Sequence, residues 1–366
     1  MALLPQLKPV RILLESLAIY IAIYGIYVLS LNLEVGYLGL PQFGKVMFLT
    51  IAGLAVGGIA TKLMLAFYQA AVAKAVGVVP LANINDYCTL YQYSVVGVVN
   101  SQLAQNPAVG LGFFLLGIVL SMALAAALGI LFAYPAIRLR EDYLGILLLV
   151  SGEFIRVVTS YTTPVACGVY GAVIPDPFPW ISGEPRSLLY LVVTLVFLIA
   201  AFLVFEALGN SPFGRALRAI RDAETAAAVF GKDIVKFRIR VLAVSSAFGG
   251  LAGALLVYYF GYTSLGAFLP IYTFIGWTML IIGGMGNNAG ALAGVAVYYG
   301  AITVLDVYKN ALQAVLRADP TYLGYLIFGL AIILVLMYRP QGIVPEKPVK
   351  TIDFAKIRDS LKRQKS

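Results

Sequence analysis

Apolar runs of 18 or more residues recur along this chain between short polar or glycine-rich intervals, and the strict alternation of a membrane β-barrel is absent. Inside a bilayer every backbone polar group must find its partner within the segment, so the runs predict helices. The first covers residues 12–33, enough at about 1.5 Å per residue to cross about 30 Å of hydrocarbon. Others are expected near residues 110–134, 143–160, 187–209, 239–260, 268–285, 288–307 and 321–338, which makes eight. Between residues 34 and 107 the pattern is less regular. Gly36 to Gly44, GYLGLPQFG, sets three glycines and a proline in otherwise apolar sequence, and residues 67–107 mix apolar with polar positions. The break at Gly36, Gly39 and Gly44 reads either as an external turn or as irregular backbone lining an enclosed cavity, because hydropathy does not fix depth.

The longest polar interval, Asn210 to Arg240, carries seven of the chain's 26 basic residues against three acids. Ser211 followed by Pro212 suits a helix N-cap and a first-turn proline. Phe213, Leu217, Ile220, Ala227 and Phe230 then recur at near-helical spacing while Arg215, Arg218 and Arg221 face elsewhere, which predicts one or two short amphipathic helices. Such helices suit either a soluble partner or anionic lipid.

At 61% apolar and 12% charged residues, with no histidine, the composition excludes an ordinary soluble domain. The net charge of +9 lies in loops and tail, where it sets orientation rather than binding nucleic acid. Lys8 and Arg11 precede the first run and no small-residue cleavage site closes it, so it reads as a retained span. Arg138, Arg140, the seven basic residues of 210–240 and eight after Tyr338 fall on one side of eight alternating spans, against Arg186, Lys309 and Arg317 on the other. The positive-inside rule then puts both termini and residues 210–240 in the cytoplasm and the loop 161–186 outside. That needs an even number of crossings, so residues 36–81 form a re-entrant hairpin, for eight spans, or two further crossings, for ten. Residues 1–345 are read as one all-α polytopic transmembrane helical bundle, and 346–366 as a basic tail touching solvent or lipid headgroups.

No phosphate-binding GxxxxGKS or GxxxxGKT run is present, since neither Gly44-Lys45 nor Gly231-Lys232 fits, and metal-site spacings are absent. Cys88 and Cys167 both fall on the outside, where a disulfide is permitted, although two free, unrelated thiols is the simpler reading. Glu153 and Arg156, three apart within a span, share a helix face and neutralise each other. A salt bridge holding helices together is preferred there over Glu153 as a contact for a substrate ammonium. Lys45 would meet a substrate carboxylate if the break lines a cavity, but lysines near span ends, Lys45 and Lys62 alike, ordinarily snorkel. Ser246, Gly249, Gly250 and Gly253 let another helix approach closely, and Gly283 to Gly290, GGMGNNAG, reads as a tight turn.

Glu224, Ala226, Ala227 and Gly231, in ETAAAVFG, resemble the EAA-type loop with which permease subunits of ABC importers dock onto their ATPases. The preceding SPFGRALRAIRDAE resembles the corresponding loop of branched-chain amino acid permeases of the LivM type. The likeness continues through VLAVSSAFGGLAGAL, Gly283 to Gly286, and YRPQGIVP at Tyr338 to Pro345, with LNLEVGYLGL and Ala136 to Val158 as earlier blocks. It implies a multi-pass plasma-membrane permease subunit that is not itself an enzyme. Expected partners are a second, similar permease, two cytoplasmic ATP-binding subunits that hold ATP and Mg, an extracellular solute-binding protein and membrane lipids, with no cofactor on this chain. Phe213, Arg218, Arg221, Glu224, Ala227 and Gly231 would carry ATPase coupling, and Gly36, Gly39, Gly44, Lys45 and Glu153 would lie on the substrate pathway. The solutes implied are branched-chain or other apolar amino acids, with urea or another small polar solute as the alternative. Where the family has a Ser-Leu-Gly-His run this chain has Pro41 to Lys45, and where it has a Gly-Gly-Pro-like external run this chain has Thr162-Thr163-Pro164 and Cys167-Gly168. Residues 67–107 resemble an expansion, and the extra leading span of many relatives is not found ahead of residue 12. An ion-coupled transporter is disfavoured because Glu153 reads as the only central acid, and a lipid-binding scaffold would use the same basic loop without any ATPase.

Overall fold

The structure, a computed structural model, describes residues 4–346 apart from 81, 83, 140, 310–312 and 314–319; the basic tail beyond Glu346 and the charges at Arg140 and Arg317 lie outside the described residues. Among those described, seven helices are long and apolar enough to cross a membrane, and two shorter apolar helices accompany them. Helix α1 (Leu4–Asn32) runs on through a π-helical turn at Leu33–Tyr37. After the break come α2 (Val46–Phe67), α3 (Gln69–Val76) and α4 (Gln92–Gln105), then α5 (Pro107–Arg138), α6 (Glu141–Tyr161) and α7 (Glu184–Asn210). The polar interval forms α8 (Pro212–Asp222) and α9 (Glu224–Val229), followed by α10 (Ile234–Phe260), α11 (Ile271–Gly283), α12 (Asn288–Val307) and α13 (Pro320–Tyr338).

Helix α10 is the central post, and its small residues are the reason. A Cβ at Gly250 would lie 2.7 Å from Ala125 Cβ on α5, and one at Gly253 would lie 2.6 Å from Ala52 Cβ on α2. Lipid tails are as apolar as leucine, so this close van der Waals approach, rather than a hydrophobic gradient, holds such helices together. Val241, Leu242, Ala252 and Ala254 are fully enclosed along the same helix.

Helices α1 and α7 run parallel: Ser187 near the start of α7 donates to Glu15 Oε2 (2.5 Å), while Asn32 at the far end of α1 and Glu206 at the far end of α7 both bond Asn288 (3.0 Å each). The Arg11 end of α1 therefore lies opposite α8, α9 and Glu346, which corrects the expectation of both termini on one side. Arg11 pairs there with Glu15 at 2.6 Å. Residues 36–81 supply one buried break and one crossing-length helix, neither a re-entrant hairpin alone nor two crossings. The run 268–285 is also shortened, since its helix has only 13 residues, about 20 Å.

Residues 67–107 fold as a cap at the Arg11 end, with Val72, Val95, Val99 and Leu103 as a small core of their own. Cys88 and Cys167 are bonded across 79 residues of sequence, correcting the reading of free thiols. The cap brings the two Cα atoms to 5.2 Å, a proximity that spacing along the chain does not reveal. Gln92 adds a second tie, donating to Gly171 O (3.0 Å) and accepting from Val173 N (2.8 Å) beside the two-stranded pairing of β1 (Ala172–Val173) with β2 (Tyr262–Thr263). Replacing both cysteines by serine is expected to cost the cap about 2–4 kcal/mol. Limited proteolysis should then cut residues 77–86 faster in the variant, with the helices of the bundle unaffected.

Candidate functional site

The polar interval folds as its capping residues dictate. Ser211 Oγ accepts the Gly214 amide at 3.4 Å and Pro212 occupies the first turn of α8. Leu217 and Ile220 are buried on its inner face and Phe213 stacks on Phe237 of α10, ring centroids 5.3 Å apart. Both ends of α9 are pinned. Glu224 pairs with Arg238 of α10 at 3.0 Å, and Gly231, at φ +75°, closes the helix in the left-handed conformation with Lys232 N donating to Ala227 O at 3.1 Å. Ala227 is buried between them. Val229 and Phe230, by contrast, project from the tip at 86% and 83% exposure, so Phe230 leaves the inward face on which its spacing had placed it.

Arg218 and Arg221 do not face solvent either. Arg218 pairs with Glu346 (2.8 Å) over the ring of Tyr37, and Arg221 pairs with Glu346 (3.0 Å) while donating to the Gly36 carbonyl. Glu346 is held by a return of the chain onto the GGMG turn: Ile343 N donates to Ile282 O (2.9 Å), Val344 N to Gly283 O (3.0 Å) and Asn287 Nδ2 to Pro345 O (2.8 Å). That turn is tight, as expected, with Gly284 at φ +119° and Gly286 at φ +77°, and Asn287 caps α12. Arg221 thus touches α8, the C-terminal return and the helix break at once.

The break is enclosed by protein and is not an external turn. A Cβ at Gly44 would run into the Leu148 carbonyl of α6, and Gly39, at φ +76°, lies against the Arg221 side chain. Its polar groups are met internally: Gly44 N by Gln42 Oε1 (3.1 Å), Gln42 O by Trp277 Nε1 (2.9 Å) and Val46 N by Thr273 Oγ1 (2.9 Å). At its centre Lys45 Nζ lies 3.0 Å from Glu34 Oε2, both side chains 0% exposed. The ammonium also donates to Ser245 Oγ on α10, whose hydroxyl donates to Ser30 O (2.7 Å). Lys45 therefore does not snorkel. Sequence reasoning missed its partner Glu34, which stands at the end of an apolar run, and read Glu153 as the only central acid. Glu153 lies elsewhere, on α6, bonded to Arg156, which donates to Gly266 O at 3.0 Å and so ties α6 to the 261–270 loop.

A family model described as branched-chain amino acid transport system / permease component matches residues 13–336. The chain belongs to this permease family. It is 36% identical over 342 residues to the probable branched-chain amino acid transport permease protein LivM of Methanocaldococcus jannaschii, covering 93% of this chain and 95% of that one. High-affinity branched-chain amino acid transport system permease proteins LivM of Salmonella typhimurium and Escherichia coli are each 28% identical over 265 residues, 66% of this chain and 59% of theirs. No solved structure matches significantly. The permease is accordingly an integral, multi-pass membrane protein of a transport family, not of an enzyme family. In it the amphipathic pair and the buried break, far apart in sequence, are joined through Arg221.

Proposed function

We propose that the permease is the membrane subunit of an ABC importer for branched-chain amino acids, with the α8–α9 end in the cytoplasm. Arg215, Lys232, Lys236 and Arg240 concentrate positive charge at that end, as orientation in a membrane requires. The observation that carries the reading is the α8–α9 pair itself, its inner face locked to α10 and to Glu346 while an apolar tip projects. Two cytoplasmic ATP-binding subunits, holding ATP and Mg, would grip that tip; a second permease and an extracellular solute-binding protein complete the assembly. Displacement of α8 passes through Arg221 to the Gly36 carbonyl and so to the break at Gly36, Gly39, Gly44 and Lys45, the moving part of the pathway. Phe213, Arg218, Glu224, Ala227 and Gly231 hold α8 and α9 in shape, and Glu153 acts on the 261–270 loop through Arg156.

The test is reconstitution with the ATP-binding subunits and the solute-binding protein. Leucine uptake should require ATP hydrolysis, and Glu224→Arg or Gly231→Trp should abolish docking and uptake while the membrane bundle still assembles. Uptake driven by an ion gradient without ATP, or normal uptake by both variants, would overturn the assignment.

A further inference from the structure

At the end of the bundle opposite α8 lies a cavity of about 310 Å³, bounded by Tyr24 of α1, Leu49 of α2, Leu256 and Val257 of α10 and Tyr272 of α11, and roofed by the loop carrying Thr263 to Phe268. Ligand pockets run from about 300 to 1,000 Å³, mostly apolar with a few polar groups, so this one suits a small solute rather than a large one. Its walls are largely aliphatic and aromatic, and its polar groups gather at the roof and among the tyrosines. The Thr263 hydroxyl, packed beneath the roof against Gly53 of α2, has no hydrogen-bond partner.

The roof is held from outside its own loop. Thr263 pairs with Ala172 and Tyr262 with Val173 across the short sheet, Gln92 braces that sheet, and Arg156 binds the Gly266 carbonyl. A site shaped by side chains from several elements keeps its geometry better than one left to a single loop. Leu49 in the wall stands four residues, about one helical turn, beyond Lys45, the N-cap residue of α2.

Resting on the transport reading above, we infer that this cavity holds the aliphatic side chain of an amino acid on its way to the helix break. A solute moving inward from it next meets an ammonium and a carboxylate, the two groups complementary to the ends of a zwitterion.

The chain has no free cysteine, so Ala267→Cys, at the exposed roof, introduces a single reactive thiol. In the assembled transporter in lipid nanodiscs, leucine at about ten times its dissociation constant should slow maleimide labelling of this thiol about tenfold, and aspartate or lysine should not. Adding Leu256→Phe, which narrows the cavity with an apolar side chain, should weaken protection by leucine about tenfold more than protection by alanine, a size dependence that a misfolded chain would not produce. Labelling unaffected by leucine in a transporter that still imports it overturns the cavity assignment and leaves the transport reading standing. Protection by urea alone, or by lipid chains and no amino acid, also overturns it. Protection by leucine in an assembly that imports no apolar amino acid supports the cavity and overturns the transport reading.

Discussion

Replacing Phe230 by aspartate is expected to strip the ATP-binding subunits from the permease and leave the chain folded. Phe230 and Val229 form an exposed apolar tip, and removing an aromatic anchor from the centre of such a contact costs about 2 kcal/mol or more, about thirtyfold in affinity. The fold should not notice, because neither side chain belongs to the core and the ends of α9 are held by Glu224 and Gly231. Co-purification of the ATP-binding subunits measures the first effect, and the elution profile of the chain alone measures the second. An unchanged yield of complex would count against the tip as the docking point.

The second large effect is expected at the helix break. Lys45→Met leaves the Glu34 carboxylate fully enclosed without its ion partner, which costs about 3–5 kcal/mol. Combining it with Glu34→Gln should recover most of that loss, since the penalty arises from an uncompensated buried charge rather than from losing attraction as such. The fraction of monodisperse protein surviving a heat step ranks the variants. A Lys45→Met chain as stable as its parent would show that the pair does not hold the break.

Legibility in the sequence followed the range of the interaction. The cap at Ser211, the tight turn at Gly283 to Gly290, the buried positions of Leu217, Ile220 and Ala227, and the packing glycines of α10 were readable because each depends on neighbours within a turn or two of helix. Cys88 with Cys167, Arg221 with Gly36 and Glu346, and Lys45 with Ser245 were not, because each joins segments 79 to 200 residues apart. Glu34 was missed for a related reason, since hydropathy reports how apolar a run is and not where its ends sit.

The basic, glycine-punctuated amphipathic interval and the apolar runs were thus determined by the chain's own order of residues: helices, a membrane, a projecting pair and the family. Tertiary structure decided the rest. It turned the ambiguous Gly36 to Lys45 break inward, put α1 parallel to α7 and so separated the two ends, and folded Glu346 back onto Arg218 and Arg221. Local periodicity specifies which face of a helix is apolar, but which helix covers that face depends on close fits between distant segments, and those fits exist only once the bundle has closed.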